Sequence, residues 1–68
     1  MKILYFDEAR TSGVGVAGMG EVLAANPAMT KEAVGGIGFK DPTLGVRVFA
    51  LDATEARFLR DELDKLIK

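Results

Sequence analysis

The chain contains neither cysteine nor histidine, and at 68 residues that double absence decides what can hold it together. A domain of this size buries only about 60% of the surface its unfolded chain exposes. Small domains ordinarily add disulfides, a structural metal or self-association. Without Cys there is no disulfide and no thiolate ligand. Without His the commonest metal ligand and the usual general base are gone too. Apolar packing and a second copy of the chain remain. The sequence therefore predicts a homodimer of one small domain, residues 1–68, with no cofactor and no metal.

The apolar stock is ample, since 24 residues are Val, Ile, Leu, Met, Phe or Tyr. That is too many for a disordered tail. Nine Lys and Arg against ten Asp and Glu give a net charge of −1. A nucleic-acid binder needs a basic face to neutralise phosphates, and a mimic of nucleic acid needs the opposite bias. Neither is present, so nucleic acid is not an expected partner. In Met1-Lys2-Ile3-Leu4-Tyr5-Phe6-Asp7 charge ends the apolar run after four residues. A signal peptide needs roughly seven to fifteen and a membrane span about twenty. The expected setting is cytoplasmic, away from any membrane.

The clearest element is the C-terminal helix. Asp52 and Glu55 form a capping box, after which Ala56, Leu59, Leu63 and Leu66 recur at helical spacing, widened by Ile67 and flanked by Phe58. Arg57, Arg60, Asp61, Asp64 and Lys68 take the opposite face, with Asp61–Lys65 and Asp64–Lys68 spaced as i,i+4 pairs. Upstream, Ile37–Lys40 and Val46–Leu51 flank Asp41-Pro42-Thr43-Leu44-Gly45, which is turn chemistry, and predict a hairpin. Lys2–Asp7 reads as a strand apolar on both faces, and hence central rather than at an edge. Gly13–Ala17 is a second strand and Met19–Ala25 a short helix. Asn26-Pro27 then reads as an N-cap with Pro at the first helical position, predicting a further helix from Pro27 to Val34 closed by Gly35 in the left-handed region.

The halves echo each other. Ile3, Tyr5 and Asp7 match Ile37, Phe39 and Asp41 at an offset of 34; Gly13, Val14 and Val16 match Gly45, Val46 and Val48 at 32; Glu21 matches Glu55 at 34. The predicted fold is a small α+β domain in ββα-ββα order. Its antiparallel sheet of three or four strands is covered on one face by the C-terminal helix and a shorter, kinked helical segment. Leu4, Phe6, Val48, Ala56, Leu59, Leu63 and Leu66 are the expected core, so that truncating Leu63 to Ala should cost ~2–5 kcal/mol. Gly13, Gly15, Gly36 and Gly38 leave one strand face nearly bare, a place for the protein's own helix to approach closely.

Catalytic chemistry finds little here. Ser12 has no basic partner for nucleophilic activation, and the carboxylates Asp61, Glu62 and Asp64 lie among Arg and Lys on a solvated helix face. Gly13-x-Gly15-x-x-Gly18 fits a dinucleotide-binding pattern, but a polar turn precedes it where that motif requires a buried strand. By elimination the chain is read as a non-enzymatic protein-binding module, a small regulator or inhibitor of a larger macromolecular assembly acting as a homo-oligomer. Its expected partner-binding residues are Arg10, Thr11 and Ser12 in a surface turn, where binding residues concentrate, together with Arg57 and Arg60. The alternative is a small-ligand protein that holds a nucleotide or phosphate on the Gly-rich segment 13–20, through Gly13, Gly15 and Gly18.

Overall fold

The computed structural model describes residues 1–67. Its elements run β1 (Lys2–Tyr5), β2 (Gly13–Ala17), α1 (Met19–Ala25), β3 (Gly35–Asp41), β4 (Gly45–Leu51) and α2 (Ala53–Ile67). The four strands form one antiparallel sheet in the order β1-β2-β3-β4. The α+β class and the ββα-ββα order are thus as the sequence predicts.

Local chemistry explains most boundaries. In the β3–β4 turn the Asp41 carboxylate accepts the Thr43 and Leu44 amides at 2.8 and 3.0 Å, and Gly45 leaves the turn at φ 76°, where a side chain would be strained. At α2, Asp52 accepts the Glu55 amide at 2.8 Å and Glu55 accepts the Asp52 amide at 3.0 Å. Both halves of the predicted capping box form. Residue 18 is glycine and has no side chain to cap α1, yet Glu21 takes the Gly18 amide at 2.9 Å. The echo between halves therefore includes the way each helix starts. Along α2, Lys65 pairs with Glu62 at 3.0 Å and Asp61 with Arg60 at 3.1 Å, in place of the expected Asp61–Lys65 pair. The expected Asp64–Lys68 pair lies outside the described residues.

Register sorts the strands into two faces. Ile3, Gly15, Gly38 and Val48 align across the sheet, as do Tyr5, Gly13, Lys40 and Val46. On this face α1 presses its Val22 toward Gly36, and Val22 and Ala17 are fully buried. Of the four glycines the protein's own helix lies against Gly36; the Met1 side chain covers Gly15 and Gly38, and Ile3 lies against Gly13. A Cβ at Gly36 would lie 2.5 Å from the Phe49 carbonyl oxygen and 3.0 Å from Val22 Cγ2. At Gly38 it would meet chiefly the flexible end of Met1. Gly36→Ala is expected to cost about 1–3 kcal/mol, the range for overpacking, and Gly38→Ala much less. Urea melts of the two variants check this, and equal losses would mean that α1 is not seated on Gly36.

The opposite face carries Leu4, Val14, Phe39 and Arg47 in one row and Lys2, Val16, Ile37 and Phe49 in the next. Here several expectations fail. Leu4 and Phe6 are 69% and 65% exposed, and Leu63 and Leu66 are 53% and 80% exposed. Val48, Ala56 and Leu59 are half-buried. The reason is which face α1 chose. Glycines let the short helix approach the Ile3–Tyr5 side, and the Leu4 side is left to α2, which does not close over it. The two helices therefore do not share one face. Leu63→Ala in a single chain should then cost less than the range for a buried Leu. The strand β1, expected to be central, is an edge strand; its two-sided apolarity reflects an open second face, not neighbours on both edges.

The predicted helix from Pro27 to Val34 is absent. Asn26 caps the end of α1, giving its amide and its side-chain Nδ2 to the Val22 carbonyl at 2.9 and 3.2 Å. A residue before proline is also biased away from helix. From there the chain passes the outer edge of β4, where Asn26 Nδ2 reaches the Val48 carbonyl at 3.5 Å and Lys31 Nζ the Ala50 carbonyl at 3.0 Å, and then enters β3, the Val34 amide meeting the Leu51 carbonyl on the β3 side at 2.9 Å. Gly35 accordingly opens β3 rather than closing a helix.

Candidate interaction surface

The open face is built by alternation. Val14 and Val16 on β2, Ile37 and Phe39 on β3, and Phe49 and Leu51 on β4 point the same way because strand side chains repeat every second residue. Phe39 and Phe49 meet edge to face, 5.8 Å between centroids at 78°, a geometry that adds roughly 0.5–1.5 kcal/mol beyond area burial. Yet Val16 remains 76% exposed and Phe49 57%. A large exposed apolar patch is informative where a lone exposed Leu is not.

The helix α2 leaves β4 at Leu51 and leans over this face without lying down on it. Leu59 is half-buried, Leu63 more exposed, and Leu66 and Ile67 nearly free. Between helix and sheet lies a cleft of about 710 Å³ with Val16, Ile37 and Leu51 on one wall and Leu59, Leu63 and Ile67 on the other. Arg60 and Asp64 are the charged groups in its lining. Past Leu63 the cleft continues over Leu4, Val14 and Val16. The molecule is correspondingly flat, 36 × 35 × 17 Å.

The residues singled out from the sequence fall in two separate places. Arg10, Thr11 and Ser12 sit in the turn beyond Tyr5 and Gly13; α2, with Arg57 and Arg60, starts from the end of the sheet where Gly35 and Leu51 align. In the turn, the Asp7 carboxylate accepts the Thr11 amide, the Thr11 hydroxyl and the Ser12 amide at 2.8, 2.9 and 2.8 Å. Arg10 takes φ 58°, and its guanidinium lies over the Tyr5 ring at 5.7 Å, beside Lys40 at 5.4 Å. Such placements are worth about 0.5–1 kcal/mol each when exposed. The Thr11 and Ser12 amides and the Thr11 hydroxyl, which a phosphate would use, are thus engaged by Asp7. Gly13 and Gly15 lie in a strand paired on both edges, and the Gly18 amide goes to Glu21.

The turn has an electrostatic consequence. The Thr11 amide, followed by the other Thr11 and Ser12 donors, holds the Asp7 carboxyl below its ordinary value. The Leu44 and Thr43 amides do the same for Asp41, and the Asp52 amide, with Lys31, for Glu55. A carboxyl with a lower pKa folded than unfolded stabilises the fold above its unfolded pKa of about 4. That contribution is lost as pH falls through the lowered folded values. The melting temperature should therefore be flat from neutrality to about pH 5 and decline below about pH 4. Asp7→Asn should remove part of the decline; an identical pH profile for the variant would show that the turn does not hold this carboxylate.

Sequence reasoning missed Val16, Ile37, Phe39, Phe49 and Leu51 as surface. The sequence signal for an exposed apolar face is Ile3–Phe6, apolar on both sides; it indicates surplus apolar surface without saying which residues of the other strands share it. Among the described residues no helix is long and apolar enough to cross a membrane. No family model matches this chain, and neither a characterised protein nor a solved structure is detectably similar to it.

Proposed function

We propose that this chain is a non-enzymatic protein-binding module that works as a homodimer in the cytoplasm and regulates or inhibits a larger macromolecular assembly. One observation carries the reading. A chain whose fully buried apolar side chains are Ala17 and Val22 exposes Leu4, Val16, Phe39 and Phe49 on one sheet face, with Leu63 and Ile67 across the cleft from it. Such a surface is covered in use, because contiguous apolar patches beyond a few hundred Å² mark interaction sites. Self-association also supplies the staple that a domain without disulfide or metal needs. The apolar face then serves the dimer, and the cationic turn at Arg10, Thr11 and Ser12, with the exposed Arg57, faces the assembly, where the planar Arg fork suits carboxylate recognition.

Sedimentation of the wild type from about 1 to 100 μM tests the first half. A species of twice 7.3 kDa is expected, with a melting temperature that rises with concentration, since association stabilises by mass action. A well-folded monomer throughout would overturn the reading. For the second half, Arg10→Glu should keep the dimer and melt nearly as wild type, as surface substitutions do, while losing the partner in capture from the native host.

A further inference from the structure

We infer that the free margin of β1 receives an extended segment of the partner as an added strand, and that this segment carries the pattern acidic–apolar–apolar–acidic. The inference rests on the partner-binding reading of the Arg10 turn and names the chemistry which that turn meets.

Backbone geometry comes first. β1 stands at one end of the sheet and pairs with β2 alone. The Phe6 amide bonds the Ser12 carbonyl at 2.7 Å, and the Lys2 and Leu4 carbonyls lie against Gly15 and Gly13. The even-numbered backbone groups thus face β2. Antiparallel pairing alternates along a strand, so the N–H and C=O of Ile3 and Tyr5 point away from the sheet, with no hydrogen-bond partner among the described residues. Donors and acceptors at that spacing match one short extended segment, which is how peptides add to a sheet edge.

Charge then selects the segment. Gly13 lies between Tyr5 and Lys40 in the register and has no side chain. The Lys40 ammonium reaches across it to 5.4 Å from the Tyr5 ring centroid, beside Arg10 at 5.7 Å. Lys2 stands exposed at the other end of β1. Lys2, Arg10 and Lys40 have no ion pair among the described residues. The carboxylates of the same turn are Asp7, held by the Thr11 and Ser12 donors, and the exposed Glu8. An antiparallel segment therefore calls for one acidic residue opposite Tyr5 and another opposite Lys2, since opposite charges stabilise cross-strand pairs. The residues between them, opposite Leu4 and Ile3, are apolar, and the first extends the row of Leu4, Val14 and Phe39.

A second β1 does not supply that pattern. A two-fold contact must be self-complementary. In the register that joins the Ile3 groups to those of Tyr5 in the other copy, Ile3 falls opposite Tyr5 and Phe6 opposite Lys2, with a carboxylate at neither place. Each copy would also bring its own Lys2, Arg10 and Lys40 to the joint. A lysine on an edge strand resists such self-addition and leaves the margin to an acidic strand.

A capped peptide with the core Glu-Val-Val-Glu is the probe, titrated into isotope-labelled wild type and followed by amide NMR. The Ile3 and Tyr5 signals should move and gain protection from hydrogen exchange. Methylating the peptide nitrogens of the first Glu and the second Val, which face β1 in this pairing, should abolish binding, whereas methylating those of the first Val and the second Glu should not. Lys40→Glu should raise the Kd at least about tenfold, and a Lys-Val-Val-Lys core should bind this variant better than the wild type. A gain for one peptide beside a loss for the other cannot come from misfolding. Shifts at Ile3 and Tyr5 with this methylation and charge pattern support the proposal. No shift at millimolar peptide, equal binding of the two cores, or Ile3 and Tyr5 amides already protected in the free protein overturns it. If Arg10→Glu still loses the partner in capture, the binding module then stands without the added strand; if it keeps the partner, both readings fall.

Discussion

Replacing Val22 by Asp is expected to leave the chain largely unfolded at neutral pH. Val22 is the largest side chain fully enclosed by the fold. It is the point where α1 meets Gly36, and Asn26 closes the helix on its carbonyl. A carboxylate there would lose its water and find no cation in exchange, a cost of several kcal/mol. A domain this small holds about 5 kcal/mol in all. Far-UV circular dichroism and a urea titration measure the loss. A variant melting within a few degrees of wild type would mean that α1 is not the lid of the glycine face.

The second large effect belongs to association. Val16→Glu should abolish the dimer while changing the fold of each copy little. At its exposed position in the single chain, a charge is a surface substitution worth within about 0.5 kcal/mol. In the proposed interface the same carboxylate loses its water, with the Lys2 ammonium opposite it as a partial offset, at a cost of about 3 kcal/mol, or a Kd raised by about two orders of magnitude. Sedimentation should show wild type as dimer and the variant as monomer at the same micromolar concentration. An unchanged dimer would place the interface away from this face.

How much of this was legible in the sequence depended on range. Asp52 with Glu55, and Asp41 through Gly45, act on amides within a few residues, so the start of α2 and the β3–β4 turn were readable from local chemistry alone. The glycine face was readable too, because removing side chains is itself a pattern. Asn26-Pro27 failed because the same two residues end one helix or begin another, and the decision lies with β4, more than twenty residues away, whose carbonyls draw the segment along its edge. The inward face of Ile3–Phe6 failed for a related reason. Alternation is legible only when one face is polar, and here both are apolar. The turn at Arg10, Thr11 and Ser12 is legible as a surface feature, whereas the Asp7 carboxylate that fills it with hydrogen bonds depends on how the turn closes.

The strap from Asn26 to Val34 has one further consequence. An antiparallel sheet can grow from either side, and a protein with two free sides can string copies into a fibre without end. Here the strap covers the β4 side at the Val48 and Ala50 carbonyls, through the Asn26 and Lys31 side chains, leaving β1, four residues long and opened by Lys2, as the open margin. A copy with one free margin can join another only margin to margin, and the joined pair has none left. Strand addition through β1 is therefore expected to stop at two chains.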